Sequence, residues 1–263
     1  MSSRIAAAVL SLVAVSGCGS EAQATHRGAR ASGSPSRVVV VPKRAFTIGY
    51  SVRHRPIEAV EIGDPRQPRR MLVVGCIHGT EPAGIAVARR LIRLAHPPST
   101  TLWVIPDLNP DGVAADTRQN ADGVDLNRNF PWHWRPLDTS GGLQYSGPKP
   151  LSEPESQAAV HLILRVRPQI TIWFHQPQTL VDLSGGDPRV ERRFAQLVGL
   201  PLRELTRYPG SAASWSNTRL PGSTAFVVEL PPGTLQPTAV TRYADAVLAI
   251  ARELAARPAR SAG

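Results

Sequence analysis

Two hydrophobic periods run along this chain, and the switches between them predict its elements. Apolar runs or alternations at 38–41 (VVVV), 46–52 (FTIGYSV) and 57–63 (IEAVEIG) predict short strands separated by turns. MLVVGC at 71–76 is an unbroken apolar run, which suits a strand buried on both faces. PAGIAVARRLIRLA (82–95) then carries apolar residues at helical spacing, with Pro82 suited to a first turn. TLWVI (101–105) returns to strand. Further on, SEPESQAAVHLILRV (152–166) predicts a helix with Ser152 and Glu155 in capping-box spacing. QITIWFH (169–175) predicts a strand, VERRFAQLVG (190–199) a helix, TAFVVEL (224–230) a strand, and 239–256 a closing helix.

Strands alternating with helices imply an α/β fold, three layers deep, with helices on both faces of a wound, mixed and mostly parallel sheet. In such sheets sites form beyond the carboxyl ends of the strands. One stretch breaks the alternation: 107–150 is polar, with little periodicity, and a segment that long without regular structure is usually functional. Within it the Pro and Gly of NPDG (109–112) predict a tight turn of structural importance.

Composition adds bounds. The chain has 263 residues, of ordinary length for one α/β domain with a real core. Its formal charge of +10 comes mostly from arginine, but no basic helix, aromatic-interleaved basic stripe or nucleic-acid module accompanies it. The charge therefore implies only anionic surroundings, or an arginine-rich composition with no functional meaning, and no nucleic-acid partner is expected.

The first residues say more. Arg4 precedes IAAAVLSLVAV (5–15), too short to span a bilayer but right for the core of a signal peptide. It runs into VSGC, ending at Cys18, which resembles the bacterial lipobox. The expected organisation is a lipoprotein signal peptide over 1–18, a flexible tether over 19–36, one folded domain over 37–257 and a disordered tail over 258–263. The chain would then sit, lipid-anchored through Cys18, on the outer face of the cell membrane; plain secretion after cleavage near AQA is the alternative. With Cys18 acylated only Cys76 remains, so no intrachain disulfide is possible, and Cys76 reads as a small buried apolar residue.

Candidate chemistry gathers at strand ends. His78 and Glu81 follow MLVVGC, His175 ends QITIWFH, and Glu229 ends TAFVVEL just before two prolines. Two histidines and a glutamate with a fourth position open are the ligand set of a catalytic zinc, and a further carboxylate nearby could act as general base. Each residue taken alone has a plain structural reading.

The polar segment changes the balance. NPDGV (109–113), RQNADGVDLNRNFP (118–131) and YSGPKPLSEPE (145–155), with H-x-x-E before them and the strand-end His and Glu after, closely resemble the zinc metallocarboxypeptidase family. The resemblance is strongest to its bacterial murein-peptide amidase branch. It runs from about 47 to 232, beginning with IGYSVRHRPI (48–57). It implies a carboxypeptidase-like fold and one Zn2+ per chain, held by His78, Glu81 and His175. Glu229 would be the base that activates water, and Arg118 would polarise the scissile carbonyl. Asn127 and Arg128 would grip a substrate carboxylate, and Asp125 would orient the first histidine. Family enzymes also place a mobile tyrosine between the last histidine and the base. Tyr208 lies in that interval as a candidate substrate-binding residue, though a loop tyrosine packing its ring is the other reading. Thr80 departs from the acidic residue or asparagine common inside the H-G-x-E turn of the amidases.

The implied activity is hydrolysis of short cell-wall peptides with free carboxylates, at the γ-D-glutamyl–diaminopimelate bond. The rivals are a general zinc carboxypeptidase, a deacylase of the succinylglutamate-desuccinylase or aspartoacylase type, and a non-catalytic peptide-binding lipoprotein on the same scaffold. Retention of a base and Arg118 argues against the binder, which needs neither.

Overall fold

The computed structural model describes residues 41–94 and 99–256. The signal peptide, the tether, Cys18, the tail and most of the 38–41 run lie outside the described residues. No helix among the described residues is long and apolar enough to cross a membrane.

One eight-stranded sheet organises the chain, in the order β1-β2-β4-β3-β5-β8-β6-β7. The strands are β1 (Lys43–Tyr50), β2 (Pro56–Ile62), β3 (Arg70–Val74), β4 (Thr101–Ile105), β5 (Ile170–His175), β6 (Leu180–Asp182), β7 (Leu202–Arg203) and β8 (Thr224–Glu229). The central run β4-β3-β5-β8 is parallel throughout, while β1, β2 and the β6/β8 pairing are antiparallel. This is the mixed α/β sheet that the hydrophobic pattern predicts.

Helices cover both faces. One face carries α1 (Ala83–Arg93), α4 (Pro188–Val198) and α6 (Pro237–Ala256), packed on Val73, Ile172, Phe174, Phe226 and Val228. The other carries α3 (Pro154–Val166) and α5 (Ala212–Arg219), packed on Leu72, Val74, Trp173 and Ala225. Because side chains alternate along a strand, this division fixes which way the strand ends point. His175 shares the parity of Trp173, and Glu229 that of Ala225, so both emerge on the α3/α5 side.

Three local expectations are corrected. NPDG is the start of a short helix, α2 (Pro110–Ala115), rather than a tight turn: Asn109 Oδ1 accepts the Gly112 N–H and Pro110 occupies the first turn. Asn followed by Pro is a helix start signal, and it outweighs the turn tendency of Asp-Gly. The Ser152/Glu155 capping box does not form. Helix α3 begins at Pro154 with Glu153 at its cap and no side-chain cap bond. Glu155 is drawn away, accepting from the Val52 N–H at 3.1 Å and from Asn120 Nδ2 at 3.0 Å, while Asn120 also donates to Glu153 at 2.6 Å. Third, β6, β7 and α5 lie in the stretch 176–222, where the pattern had predicted only α4. The two strands are only three and two residues long, too short to show a period. Cys76 is buried, as expected.

Candidate metal centre and active site

The seam between β3 and α1 carries the first two ligand candidates. After Val74 the chain turns sharply, with the Glu81 N–H bonded to the His78 carbonyl at 2.9 Å. Gly79 makes that turn possible: a Cβ there would lie 2.0 Å from the Gly112 carbonyl carbon, so α2 leaves no room for a side chain. The carboxylate of Glu81 lies just before α1, where the N-terminal end of the helix dipole favours a negative charge.

Around Glu81 the two histidines converge. Nδ1 of His175 bonds Glu81 Oε2 at 3.0 Å, and Nδ1 of His78 lies 2.9 Å from Glu81 Oε1. The ring centroids are 4.8 Å apart, and one donor atom from each of the three residues lies within 4.8 Å of the others. His78 Nδ1 is buried and, though close to Glu81, is out of line for a hydrogen bond, so it has no hydrogen-bond partner. A buried nitrogen left without a bond, beside a second imidazole and a carboxylate, is one that a cation would satisfy. The donor set, two imidazole nitrogens and a carboxylate oxygen, suits zinc.

Behind the three candidate ligands stands Asp125, fully buried at 0% exposure. Its Oδ1 bonds His78 Nε2 at 3.0 Å and also accepts the Asn127 N–H at 2.9 Å, while Oδ2 accepts from Arg118 Nε at 3.0 Å. That leaves His78 Nδ1 facing Glu81 and fixes the imidazole plane. Burial opposes ionisation of Asp125, but His78 and Arg118 beside it hold its carboxyl well below the usual range. Glu81 is likewise desolvated and held far down by His78 and His175. Burial would lower the pKa of His78, yet the flanking Asp125 and Glu81 carboxylates outweigh it and raise it.

Glu229 reaches the cluster through the sheet. It is the registered neighbour of His175 on the parallel strand β8, which fixes the two Cα atoms about 4.8 Å apart. Both of its oxygens are engaged by Gln178: the backbone N–H donates to Oε2 and the side-chain Nε2 to Oε1, each at 3.3 Å. Gln176 organises the same corner. Its N–H donates to Glu81 Oε2, its Oε1 accepts the Ala83 N–H that begins α1, and its Nε2 donates to the Pro231 and Gly233 carbonyls. Neither glutamine stood out in the sequence; the only signal available was their position directly after His175.

The 107–150 segment supplies the remaining wall. Arg118 Nη1 donates to Glu81 Oε1 at 2.8 Å. Asn127 Oδ1 accepts the Ala212 N–H that opens α5. Arg128, buried, lies with its guanidinium 4.3 Å from the ring centroid of Tyr208 and donates to the Asn127 carbonyl. Gly210 clamps the Tyr208 loop to this wall. Its N–H bonds the Trp132 carbonyl, its carbonyl accepts the Phe130 N–H, and with φ at +79° a Cβ would lie 1.9 Å from the Arg128 carbonyl oxygen. His78, Glu81, His175, Arg118, Asn127, Arg128, Tyr208 and Glu229 thus line a single cleft of about 380 Å³. Tyr208 remains 39% exposed at its mouth.

A sequence model of the family "Zinc carboxypeptidase" matches residues 41–189, more than half of the chain. The chain belongs to the zinc carboxypeptidase family. Murein peptide amidase A of Vibrio campbellii is 33% identical over 202 residues, covering 69% of this chain and 77% of that protein. Murein peptide amidase A of Escherichia coli K12 is 34% identical over 160 residues; the match covers 55% of this chain and 64% of that enzyme, just under two thirds of its length. The crystal structure of a murein-tripeptide amidase from E. coli O157 superposes with a TM-score of 0.62 at 28% identity, covering 84% of this chain and 95% of that one. Bovine thrombin-activatable fibrinolysis inhibitor shares the fold, with a TM-score of 0.68 at 19% identity over 82% of this chain. Glu229 and Tyr208 lie beyond the stretch matched by the family model, so their place in the site rests on the geometry above.

Proposed function

We propose that this chain is a zinc-dependent peptidase that hydrolyses short peptidoglycan peptides at the γ-D-glutamyl–diaminopimelate bond. The observation that carries the reading is the convergence of His78, Glu81 and His175 in one cleft with Glu229, Arg118 and Arg128, in a chain similar to murein peptide amidases over 69% of its length.

His78 and His175 through Nδ1, and Glu81 through its carboxylate, would hold the ion. A bound zinc supplies Lewis acidity, polarising the scissile carbonyl and lowering the pKa of a water molecule. The chain's own groups do the rest. Glu229 takes the proton of the attacking water and delivers it to the leaving nitrogen. The two Gln178 donors hold that carboxylate in place. Arg118 has Nε and Nη1 committed to Asp125 and Glu81, while its Nη2 makes no hydrogen bond with the described residues and can donate to the developing oxyanion. Nη2 of Arg128 and Nδ2 of Asn127 are similarly unengaged and suit a carboxylate beside the scissile bond. The leader supports a membrane-tethered location through lipidated Cys18, beside the wall that would supply the substrate; labelling with a radioactive fatty acid, lost in Cys18→Ala, tests that part.

The experiment on function is hydrolysis of L-Ala–γ-D-Glu–meso-diaminopimelate. Cleavage abolished by chelation, restored by zinc and lost in Glu229→Gln is the expected result. Turnover indifferent to chelator would reject the zinc mechanism, and turnover found only with ordinary C-terminal dipeptides would reject the proposal in favour of a general carboxypeptidase.

A further inference from the structure

A set of unmatched cations occupies the end of the sheet opposite the active site. His175 and Glu229 close β5 and β8, whereas Ile170, where β5 begins, is about 17 Å away along the strand. At that second end the helices that precede parallel strands carry arginine in their last turns: Arg93 in α1 before β4, Arg165 in α3 before β5, and Arg219 in α5 before β8. Arg167 follows as the left-handed C-cap of α3, with φ at +49°, and Lys43 opens β1 opposite Ile62. All five residues are exposed, and none pairs with a carboxylate of the described residues. The acids beside them are already matched, Glu61 by Arg44 and Asp64 by Arg66. Helix dipoles favour cations at these ends without neutralising them. Each C-terminus is equivalent to about half a negative charge, so three of them offset roughly one and a half of the five positive charges.

A second cleft, of about 300 Å³, opens beside these cations and is lined by Phe46, Arg70, Trp103 and Arg165 among others. The Phe46 and Trp103 rings stack with centroids 5.5 Å apart, and the Arg165 guanidinium lies 5.5 Å from the Trp103 centroid. Arg165 makes no hydrogen bond with the described residues, and Arg70 commits only Nη1 of its guanidinium, to the Val166 carbonyl at 3.1 Å. Free guanidinium donors over a largely buried aromatic floor suit an anionic headgroup, whose phosphate takes the donors while its glycerol covers the rings.

We propose that this end of the domain docks on an anionic phospholipid surface, so that the catalytic cleft at the other end faces away from the bilayer. The choice of a bilayer rests on the path of the chain. Val41 is the first described residue, the Pro42 carbonyl accepts the Gly63 N–H, and Lys43 begins β1, so everything upstream, Cys18 included, joins the domain at this end. The spread of the cations fits as well: single charges distributed over one end are met together by a plane of headgroups, each contributing about 5-fold in affinity. The inference goes beyond the amidase reading. It rests on the membrane-tethered location proposed above only for what brings the bilayer near.

The test is co-sedimentation of the full chain carrying Cys18→Ser, which cannot be lipidated there, with vesicles of phosphatidylcholine alone or mixed with phosphatidylglycerol. Residues before Val41 contribute equally to every variant, so differences between variants report on the folded domain. The triple change Arg165→Gln, Arg167→Gln and Arg219→Gln should lower partition onto phosphatidylglycerol vesicles by up to about 100-fold, at about 5-fold per cation, and added salt should shrink that difference. Arg165→Lys, Arg167→Lys and Arg219→Lys together keep the charge and should bind as the parent does. Removing the same charge from exposed arginines near the catalytic end, by Arg53→Gln, Arg135→Gln and Arg242→Gln, should leave partition within about threefold. Melting temperature and kcat/KM on a soluble peptide should be unchanged in the first triple variant. Equal losses in the two glutamine triples, a loss in the lysine triple, or no preference for phosphatidylglycerol overturns the proposal. So does binding to soluble polyphosphate without binding to vesicles, which assigns the face to an anionic polymer. The tether fails separately: preference for phosphatidylglycerol in a chain whose Cys18 takes up no fatty acid retains the docking face and sinks the anchor.

Discussion

Asp125 offers the sharpest test of how the metal centre is built. It is fully buried and accepts from three donors: His78 Nε2, the Asn127 N–H and Arg118 Nε. Asp125→Ala strands all three. Arg118 is 27% exposed in its side chain, so water can reach it, but the histidine and the backbone amide cannot be resolvated so easily. Two buried donors left unsatisfied cost about 1–3 kcal/mol each, or roughly 2–6 kcal/mol together. For a domain of this size each kcal/mol moves the melting temperature by about 2–4 °C, so a fall of at least about 4 °C is expected. The imidazole also loses the partner that fixes its orientation, which should weaken zinc binding by about 10–100-fold. Asp125→Asn keeps the shape and one acceptor oxygen but sets an amide N–H against either His78 or Arg118, so it should fall between wild type and alanine in both measures. The assays are thermal melting of the zinc-free chain and competition against a chelator of known affinity. Zinc affinity within threefold of wild type in Asp125→Ala, with unchanged melting, would refute the claim that this carboxylate holds the ligand shell together.

Other outcomes follow from the same geometry. Glu229→Gln should reduce turnover by at least about 100-fold while leaving zinc content by elemental analysis at one per chain, because the base is outside the ligand set. Gln178→Leu removes one of the two donor groups that hold the Glu229 carboxylate in place, so kcat should fall while zinc content is unchanged; an unchanged kcat would dissociate Gln178 from the base. Gly210→Ala forces a Cβ onto the Arg128 carbonyl at a positive φ and should raise KM for the peptide more than it alters zinc affinity, read by steady-state kinetics and chelator competition. Glu191 is desolvated beneath the 184–186 turn and its pKa is raised from 4.5 to about 7. A raised folded-state pKa contributes stability that is complete below about 4.5 and fades as pH climbs through about 7. Urea unfolding should therefore show stability falling over that window, by at most about 3 kcal/mol, and Glu191→Gln should flatten the fall.

What the sequence disclosed depended on how local each signal was. The central strands and long helices were legible because β5 and β8 are continuous apolar runs and α1, α4 and α6 repeat at helical spacing over many turns. The three candidate ligands were legible because His78 and Glu81 follow, and His175 ends, the strand runs of β3 and β5. The turn at 109–112 was misread because a start signal of two residues, Asn109 and Pro110, competes there with Asp-Gly and outweighs it. Glu155 was taken for a capping group because its spacing from Ser152 fits; its actual partners, Asn120 and the Val52 amide, are remote in the chain.

The pairing of His175 with Glu229 across adjacent parallel strands has an evolutionary consequence. The distance from His175 to Glu229 is fixed by the backbone lattice, so the stretch from Leu183 to Ser223, beyond the β6/β8 pairing, is a detour whose length and lining are independent of it. Loops there can be lengthened, recharged or exchanged to admit new leaving groups, and the reaction centre keeps its dimensions throughout.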